Sequence, residues 1–397
     1  MKILYLSILP IINDNIGVVK KIKEQAESMK SSAIVLDVCV FYKEESIFLD
    51  KSDFPDYFTF ITYSYSGLQR VFQSFDLWRT IAKFSDSKSY DIIYFRNPGS
   101  SFFLYRFLKT FKNKVILEHN SKEVTEIKLR SKRPKIDIWK EIFFAKKGYK
   151  YALGNVGKTT RFSIHQEIKA GYLLNLKTIT NGVFVNDIVK RNDRLKKTDT
   201  NVNLIFVGNI AFWHGLERLL VGIKNYKGSV DYALFLVGQE DVFSDILRKL
   251  KLEHLLNTKI FLTGFKDGKE LDKLFNDADF GIGSLGLHRI NIYNGVPLKH
   301  REYLSRGLPF IYSGRDEDID ASISEYLFNV RANESSVNFS ELLDFIQHLS
   351  KKEENVAQIL TQYAAGNIDV SIKSEELINF FNYSLNKNKV LELQKIK

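Results

Sequence analysis

Two loops of this chain combine residue types and spacing that suit a diphosphate. The first runs Val207-Gly208-Asn209-Ile210-Ala211-Phe212-Trp213-His214-Gly215, between an apolar run and a helical pattern. Gly208 permits a tight turn there, and Gly215 leaves a helix N-terminus uncovered, so that free amides can meet phosphate oxygens. The second loop holds Arg289 and Asn294 and ends in Pro297-Leu298-Lys299-His300-Arg301-Glu302-Tyr303-Leu304-Ser305-Arg306-Gly307-Leu308-Pro309. Pro297 preorganises a first helical turn, which aims the amides near Leu298 and Lys299 outward with the positive helix end behind them. Lys299 adds a mobile positive charge, and one turn later Glu302 stands where a carboxylate can hold a ribose diol. The rival readings are a plain turn at Gly208 and a solvated Lys299–Glu302 pair at i, i+3 spacing.

Other candidates stand alone. His119 and Arg96 each end an apolar run, at places where a side chain can reach a second substrate; Arg96 suits a phosphate, and a histidine bonded at a strand end is the equal alternative for His119. Asp277-Ala278-Asp279 enters an apolar run and reads as structural, and Asp316-Glu317-Asp318 reads as a charged surface loop, so no metal site is expected. A single cysteine, Cys39, excludes internal disulfides and cysteine-built metal sites and fits a reducing cytoplasm.

These loops need a frame of parallel strands. Short apolar runs at 3–8, 34–41, 92–95, 115–118 and 154–157 alternate with helical patterns, the first over 18–29, and a second series follows at 204–207, 232–237, 260–263, 280–282 and 309–312. Such alternation predicts two doubly wound α/β domains, whose ligands sit outside the carboxyl ends of the strands. The expected division is a first domain over 1–186, a polar linker over 187–202, a second domain over 203–371, and a C-terminal helix over 372–397 that can pack back on the first. With 397 residues, 44% hydrophobic, 31 Phe and 19 Tyr, the chain is neither disordered nor fibrous.

The net charge of +11 divides into +14 over residues 1–200 and −3 over 201–397. Basic residues concentrate between Lys128 and Lys150, interleaved with Trp139, Phe143, Phe144, Tyr149 and Tyr151, a mixture that suits an anionic membrane surface. No apolar run is long enough to span a bilayer, and no nucleic-acid recognition motif accompanies the charge.

The string Pro297 to Pro309 resembles the donor-site signature of retaining, nucleotide-sugar-dependent glycosyltransferases of family 4, which have the GT-B fold. Asn181-Gly182-Val183 is similar to the turn that ends the first domain in that family. Gly208 to Gly215 resembles its first loop in the second domain, Gly264-Phe265 the strand end facing the nucleotide base, and Gly17 a glycine of the opening loop. The resemblance implies two Rossmann-like domains facing a central cleft. It also implies ribose binding by Glu302, diphosphate binding by Lys299 and the amides around Leu298, and a His119 placed in the cleft. Asn294 departs from the pattern, since the family's Glu-x7-Glu motif has its first glutamate there; Asn209 and His214 stand where many relatives carry Arg and Lys. Asn294 keeps hydrogen bonding but loses the charge that stabilises an oxocarbenium-like transition state. Arg289, Arg301 or Lys299 is expected to compensate for the cations missing near Asn209.

The implied protein is a cytoplasmic, membrane-peripheral hexosyltransferase, independent of metal and cofactor. It moves a sugar from a nucleoside diphosphate sugar, UDP favoured over GDP, to a glycan or lipid-linked acceptor in surface polysaccharide assembly. The alternative is a catalytically silent relative that binds nucleotide sugar or glycan and serves another transferase.

Overall fold

A computed structural model describes residues 1–9, 16–30, 33–43, 53–63, 70–185, 201–208 and 210–396. Most of the expected linker, and Asn209, lie outside the described residues. The chain divides into two compact units, Met1–Thr180 with Val370–Lys397, and Asn181–Asp369.

In the first unit β1 (Lys2–Leu9), β2 (Val35–Lys43), β3 (Phe58–Tyr63), β4 (Ile92–Arg96), β5 (Val115–His119), β6 (Gly154–Gly157) and β7 (Leu176–Thr178) form one sheet. Its order is β3-β2-β1-β4-β5-β6-β7 with every neighbouring pair parallel. Both faces are covered, because successive side chains of β1 alternate between two cores. Ile3 and Tyr5 join Val19, Ile22 and Met29 of α1 (Ile16–Met29), while Leu4 and Leu6 join Leu77 of α2 (Arg70–Asp86) and Leu104 and Phe107 of α3 (Phe102–Thr110). Three further helices complete the windings, α4 (Glu123–Arg130), α5 (Pro134–Gly148) and α6 (Thr160–Ala170).

The second unit holds β8 (Asn201–Val207), β9 (Asp231–Val237), β10 (Ile260–Gly264), β11 (Phe280–Ile282), β13 (Phe310–Ser313) and β15 (Phe328–Val330), in the order β10-β9-β8-β11-β13-β15, again all parallel. A two-stranded parallel pair stands apart, β12 (Asn294–Gly295) with β14 (Arg315–Asp316). Its helices are α7 (Leu216–Asn225), α8 (Glu240–Leu250), α9 (Gly268–Asp277), α10 (Leu298–Arg306), α11 (Ala321–Ser324), α12 (Phe339–Ser350) and α13 (Val356–Asn367). The Asn181-Gly182-Val183 turn, expected to close the first domain, belongs to this unit: Asn181 donates to the Val296 carbonyl at 3.0 Å, and the Val185 amide to Asp369 at 3.0 Å. The tail is one helix, α14 (Val370–Ile396), whose Leu377, Phe380 and Phe381 enter the core of the first unit beside α1.

Candidate functional site

In each sheet the chain winds first to one side of its opening strand and then to the other, so a crevice opens where the two windings part. In the second unit that place lies beyond the carboxyl ends of β8 and β11. Gly208 follows β8 with φ 124°, and a side chain there would meet nothing within 4 Å, so ligand atoms can approach its backbone closely. Gly215 caps α7 with φ 65° for a different reason: a Cβ there would stand 2.7 Å from the Gly286 nitrogen. The two loops singled out in the sequence are packed backbone to backbone, with the Leu285 amide donating to the His214 carbonyl at 2.8 Å.

Pro297, in extended backbone, is the residue before α10, and no side chain caps that helix. The amides of its first turn, at Leu298 and Lys299, therefore remain available to an anion. The Lys299 Nζ is buried with no hydrogen-bond partner and lies 3.7 Å over the Phe206 ring of β8. Burial draws its ammonium down to about 7, against the upward influence of Glu302. Glu302 is held from behind, its Oε1 accepting from Arg306 Nε at 3.3 Å and Nη2 at 3.2 Å, while Arg306 also reaches Asp272 at 2.8 Å. Phe265, just past β10, is 67% exposed, and Gly264 lies against Glu240. Asn294 is half-buried in β12, paired in register with Arg315.

Several expected ligands are already committed elsewhere. Arg289 binds Glu334 through Nε at 2.9 Å and Nη2 at 2.7 Å, and Glu217 through Nη1 at 2.9 Å, so its charge is neutralised within the protein. The His214 Nδ1 accepts from the Ala211 amide of its own loop at 3.1 Å. Arg301 cannot compensate for missing cations, because it is fully buried and bonded to Asp316 at 2.5 and 2.7 Å and to Asp318. The expectation of a charged surface loop at 316–318 is corrected by the same network, since Asp316 is 2% exposed. Burial acts to raise the Asp316 carboxyl, but Arg301 and His300 outweigh it and hold the group far below the usual carboxylate range. His300 donates to Asp316 from Nδ1 at 2.8 Å and accepts the Ser284 amide at Nε2 at 3.1 Å, which fixes the loop after β11 onto α10. Gly283 permits that packing, because a Cβ would meet His300 Nε2 at 2.6 Å. The dense glycines at 281–286, read with the diphosphate loop, are the signal for this close approach.

In the first unit a groove of about 850 Å³ opens beyond β1, β4 and β5, lined by Arg96, Asn97, Trp78, Phe103, Glu126 and Lys140 among others. Arg96 faces it as expected from its strand end. His119 does not: it is fully buried, with Nδ1 3.0 Å from Glu123 and 3.1 Å from Asn97, and Nε2 3.1 Å from Asn155. Both ring nitrogens are used, so His119 holds Asn97 and Glu123 in place under the groove. Burial acts to raise Glu123, but Lys169, at 3.0 Å, and His119 outweigh it and keep the group ionised. Gly17 sits in the first turn of α1, with open space where a side chain would be.

The aromatic residues of α2, α3 and α5 form a continuous ladder. Phe75 packs on Phe103 at 4.8 Å, Phe103 on Phe102 at 5.8 Å, Phe102 on Phe144 at 6.3 Å, Phe144 on Phe143 at 5.1 Å, and Phe143 on Trp139 at 5.1 Å. Phe75, Phe102 and Trp139 are exposed, while Arg106 lies over Phe102 and Lys147 over Phe143. Tyr149, expected on this face, is instead buried, its hydroxyl 3.1 Å from Ser100 Oγ. Among the described residues no helix is long and apolar enough to cross a membrane, and no group of three or more His, Cys, Asp or Glu is placed to hold a metal ion.

No protein-family model matches the chain, and neither does any curated protein. Solved structures do. HepE of Anabaena, in complex with UDP and glucose, superposes with a TM-score of 0.66 at 14% identity over 96% of this chain and 100% of that one. A glycosyltransferase of Rickettsia africae gives 0.64 at 14% identity, covering 97% and 98%. WaaG, a glycosyltransferase involved in lipopolysaccharide biosynthesis, gives 0.63 at 12% identity, covering 96% and 99%. At such identity the likeness establishes the fold, GT-B, with two Rossmann-like units.

Proposed function

We propose that the protein is a glycosyltransferase that takes its sugar from a nucleoside diphosphate sugar. The observation that carries this reading is the Lys299 ammonium, buried and without a hydrogen-bond partner, between the uncapped start of α10 and the open backbone of Gly208. A buried cation without an anion is costly, and a diphosphate at this crevice removes the cost. As the glycosidic bond breaks, the leaving diphosphate gathers negative charge, which Lys299 and the amides of Leu298 and Lys299 stabilise. Glu302, oriented by Arg306, binds the ribose. Phe265 and Gly264 face the base, with UDP favoured because the HepE structures hold UDP and UDP-glucose. The helix end and Lys299 supply the charge on the diphosphate without a divalent ion, and the reaction retains configuration at a hexose-type donor.

The first unit binds the acceptor in the groove at Arg96. Its aromatic ladder, bordered by Arg106 and Lys147, lies on an anionic membrane surface at the cytoplasmic side, where a lipid-linked glycan of surface polysaccharide assembly is met. Asn294 favours a second reading, a protein that binds donor but does not transfer it.

The experiment is a thermal-shift and sugar-release screen against UDP- and GDP-sugars, with and without EDTA, beside Glu302→Ala. One donor that stabilises the chain and is slowly hydrolysed regardless of EDTA, with both effects lost in the variant, supports the transferase. Binding without release or transfer, even with lipid-linked acceptors added, supports the second reading; no binding of any donor defeats both.

A further inference from the structure

We infer that the inner end of the first unit's groove is an oxyanion site, formed by Lys21, Arg96, Asn120 and Lys158 around Glu118, which receives the phosphate of a phosphorylated acceptor. Its assignment to an acceptor rests on the transferase reading; the anion site itself does not.

Three cations converge on one carboxylate. The Glu118 carboxylate, fully buried at the end of β5, lies 2.7 Å from Lys158 Nζ, 3.4 Å from Lys21 Nζ and 3.9 Å from Arg96 Nη1. Among the described residues no other carboxylate lies within ion-pair distance of these three. Lys158 is 2% and Lys21 8% exposed, so water contributes little to balancing the excess. Tyr5 does not balance it either, since burial and Glu118 keep its hydroxyl protonated, 3.1 Å from Gln25 Oε1 and 3.3 Å from Glu118 Oε2. Burial, reinforced by Lys158 and Arg96 and opposed by Glu118, pushes the Lys21 ammonium well below its ordinary range.

Two donors mark where an anion would bind. The Arg96 Nη1 and the Asn120 Nδ2 are both buried without a hydrogen-bond partner, and both residues line the groove. Asn120 is already oriented, its Oδ1 accepting from Lys21 Nζ at 2.9 Å. An arginine fork, an amide and two ammonium groups behind them match the several acceptor oxygens of a phosphate. Elsewhere the groove wall carries Glu126 and Asp137, which suit sugar hydroxyls and repel a second anion.

The test titrates the full chain with inorganic phosphate at fixed ionic strength, followed by ³¹P line broadening, in a Lys299→Met background that silences the crevice of the second unit. Phosphate binding should persist there and weaken at least about tenfold on adding Arg96→Gln. It should be unchanged on adding Lys140→Gln, which removes a cation from the same groove outside the cluster. Glu118→Gln raises the excess charge and should tighten phosphate binding, an outcome that a purely structural Glu118 does not produce. No phosphate binding in the Lys299→Met background, or equal loss in Arg96→Gln and Lys140→Gln, overturns the site. Glucose 6-phosphate binding no better than glucose overturns the acceptor assignment. Phosphate binding at Arg96 in a chain that binds no nucleotide sugar leaves the anion site standing and removes the transferase reading.

Discussion

Replacing Lys299 with Met should stabilise the free protein while abolishing its affinity for UDP. Burial draws the ammonium from 10.5 to about 7, and each pH unit of that displacement is worth about 1.4 kcal/mol, so the charged form costs the fold up to about 5 kcal/mol. The partly exposed stem and the Phe206 ring at 3.7 Å reduce this ceiling, and about 2–3 kcal/mol is the working value. For a chain of 397 residues that is a rise of roughly 2–4 °C in Tm. The sign with pH follows from where each state holds the proton. Below about pH 7 both folded and unfolded chains are protonated and the whole penalty applies; between about 7 and 10.5 the folded chain has released the proton, and the penalty shrinks as pH rises. Melting curves of both proteins at about pH 6.5, 8 and 9.5 should therefore show a gap that narrows with pH. Calorimetric titration with UDP should show wild-type affinity falling by up to tenfold per pH unit above about 7, because the bound diphosphate requires the ammonium. A variant that melts lower at every pH, a gap independent of pH, or UDP affinity intact in Lys299→Met refutes the reasoning.

Gly215→Ala places a Cβ 2.7 Å from backbone at Gly286, at φ 65°, where neither loop can yield cheaply; a loss of about 1–3 kcal/mol in urea unfolding is expected. Asp316→Asn breaks the buried pair with Arg301 and should cost about 3–5 kcal/mol at neutral pH. Because the Asp316 carboxyl lies far below its ordinary range, its contribution is full above about pH 4 and falls progressively as pH drops from there toward the folded-state value; the gap between wild-type and variant urea curves should be narrower at about pH 3 than at about pH 7 without closing. Combined Phe75→Ser, Phe102→Ser and Trp139→Ser changes should release the chain from phosphatidylglycerol vesicles in a sedimentation assay without lowering its Tm by more than a few degrees, since all three side chains are exposed. Undiminished retention would remove the ladder from the membrane reading.

Much of the frame was legible in the chain because its signals are local. The runs at 92–95, 115–117 and 280–282 are continuously apolar, as is usual for strands buried on both faces, and Pro297 with the glycines at 208 and 215 marks where loops give way to helices. The strand Phe58–Tyr63 escaped because it is the sheet edge, only half-buried, with polar Thr59 and Thr62 between its aromatics. Residue type and spacing also drew attention to Lys299, Glu302 and Arg96. They did not reveal which charges were still available, because a buried charge finds its partner wherever the fold brings one. Arg289 meets Glu334 45 residues away, and His119 meets Asn155 36 residues away. Glu118 gathers Lys21 from 97 residues before it. Folding bonded Arg289, Arg301 and His119 from within and left Lys299 Nζ and Arg96 Nη1 without hydrogen-bond partners, Arg96 having only the Glu118 carboxylate at 3.9 Å, because desolvation makes every buried charge seek a partner and only the packing decides whether one comes within reach.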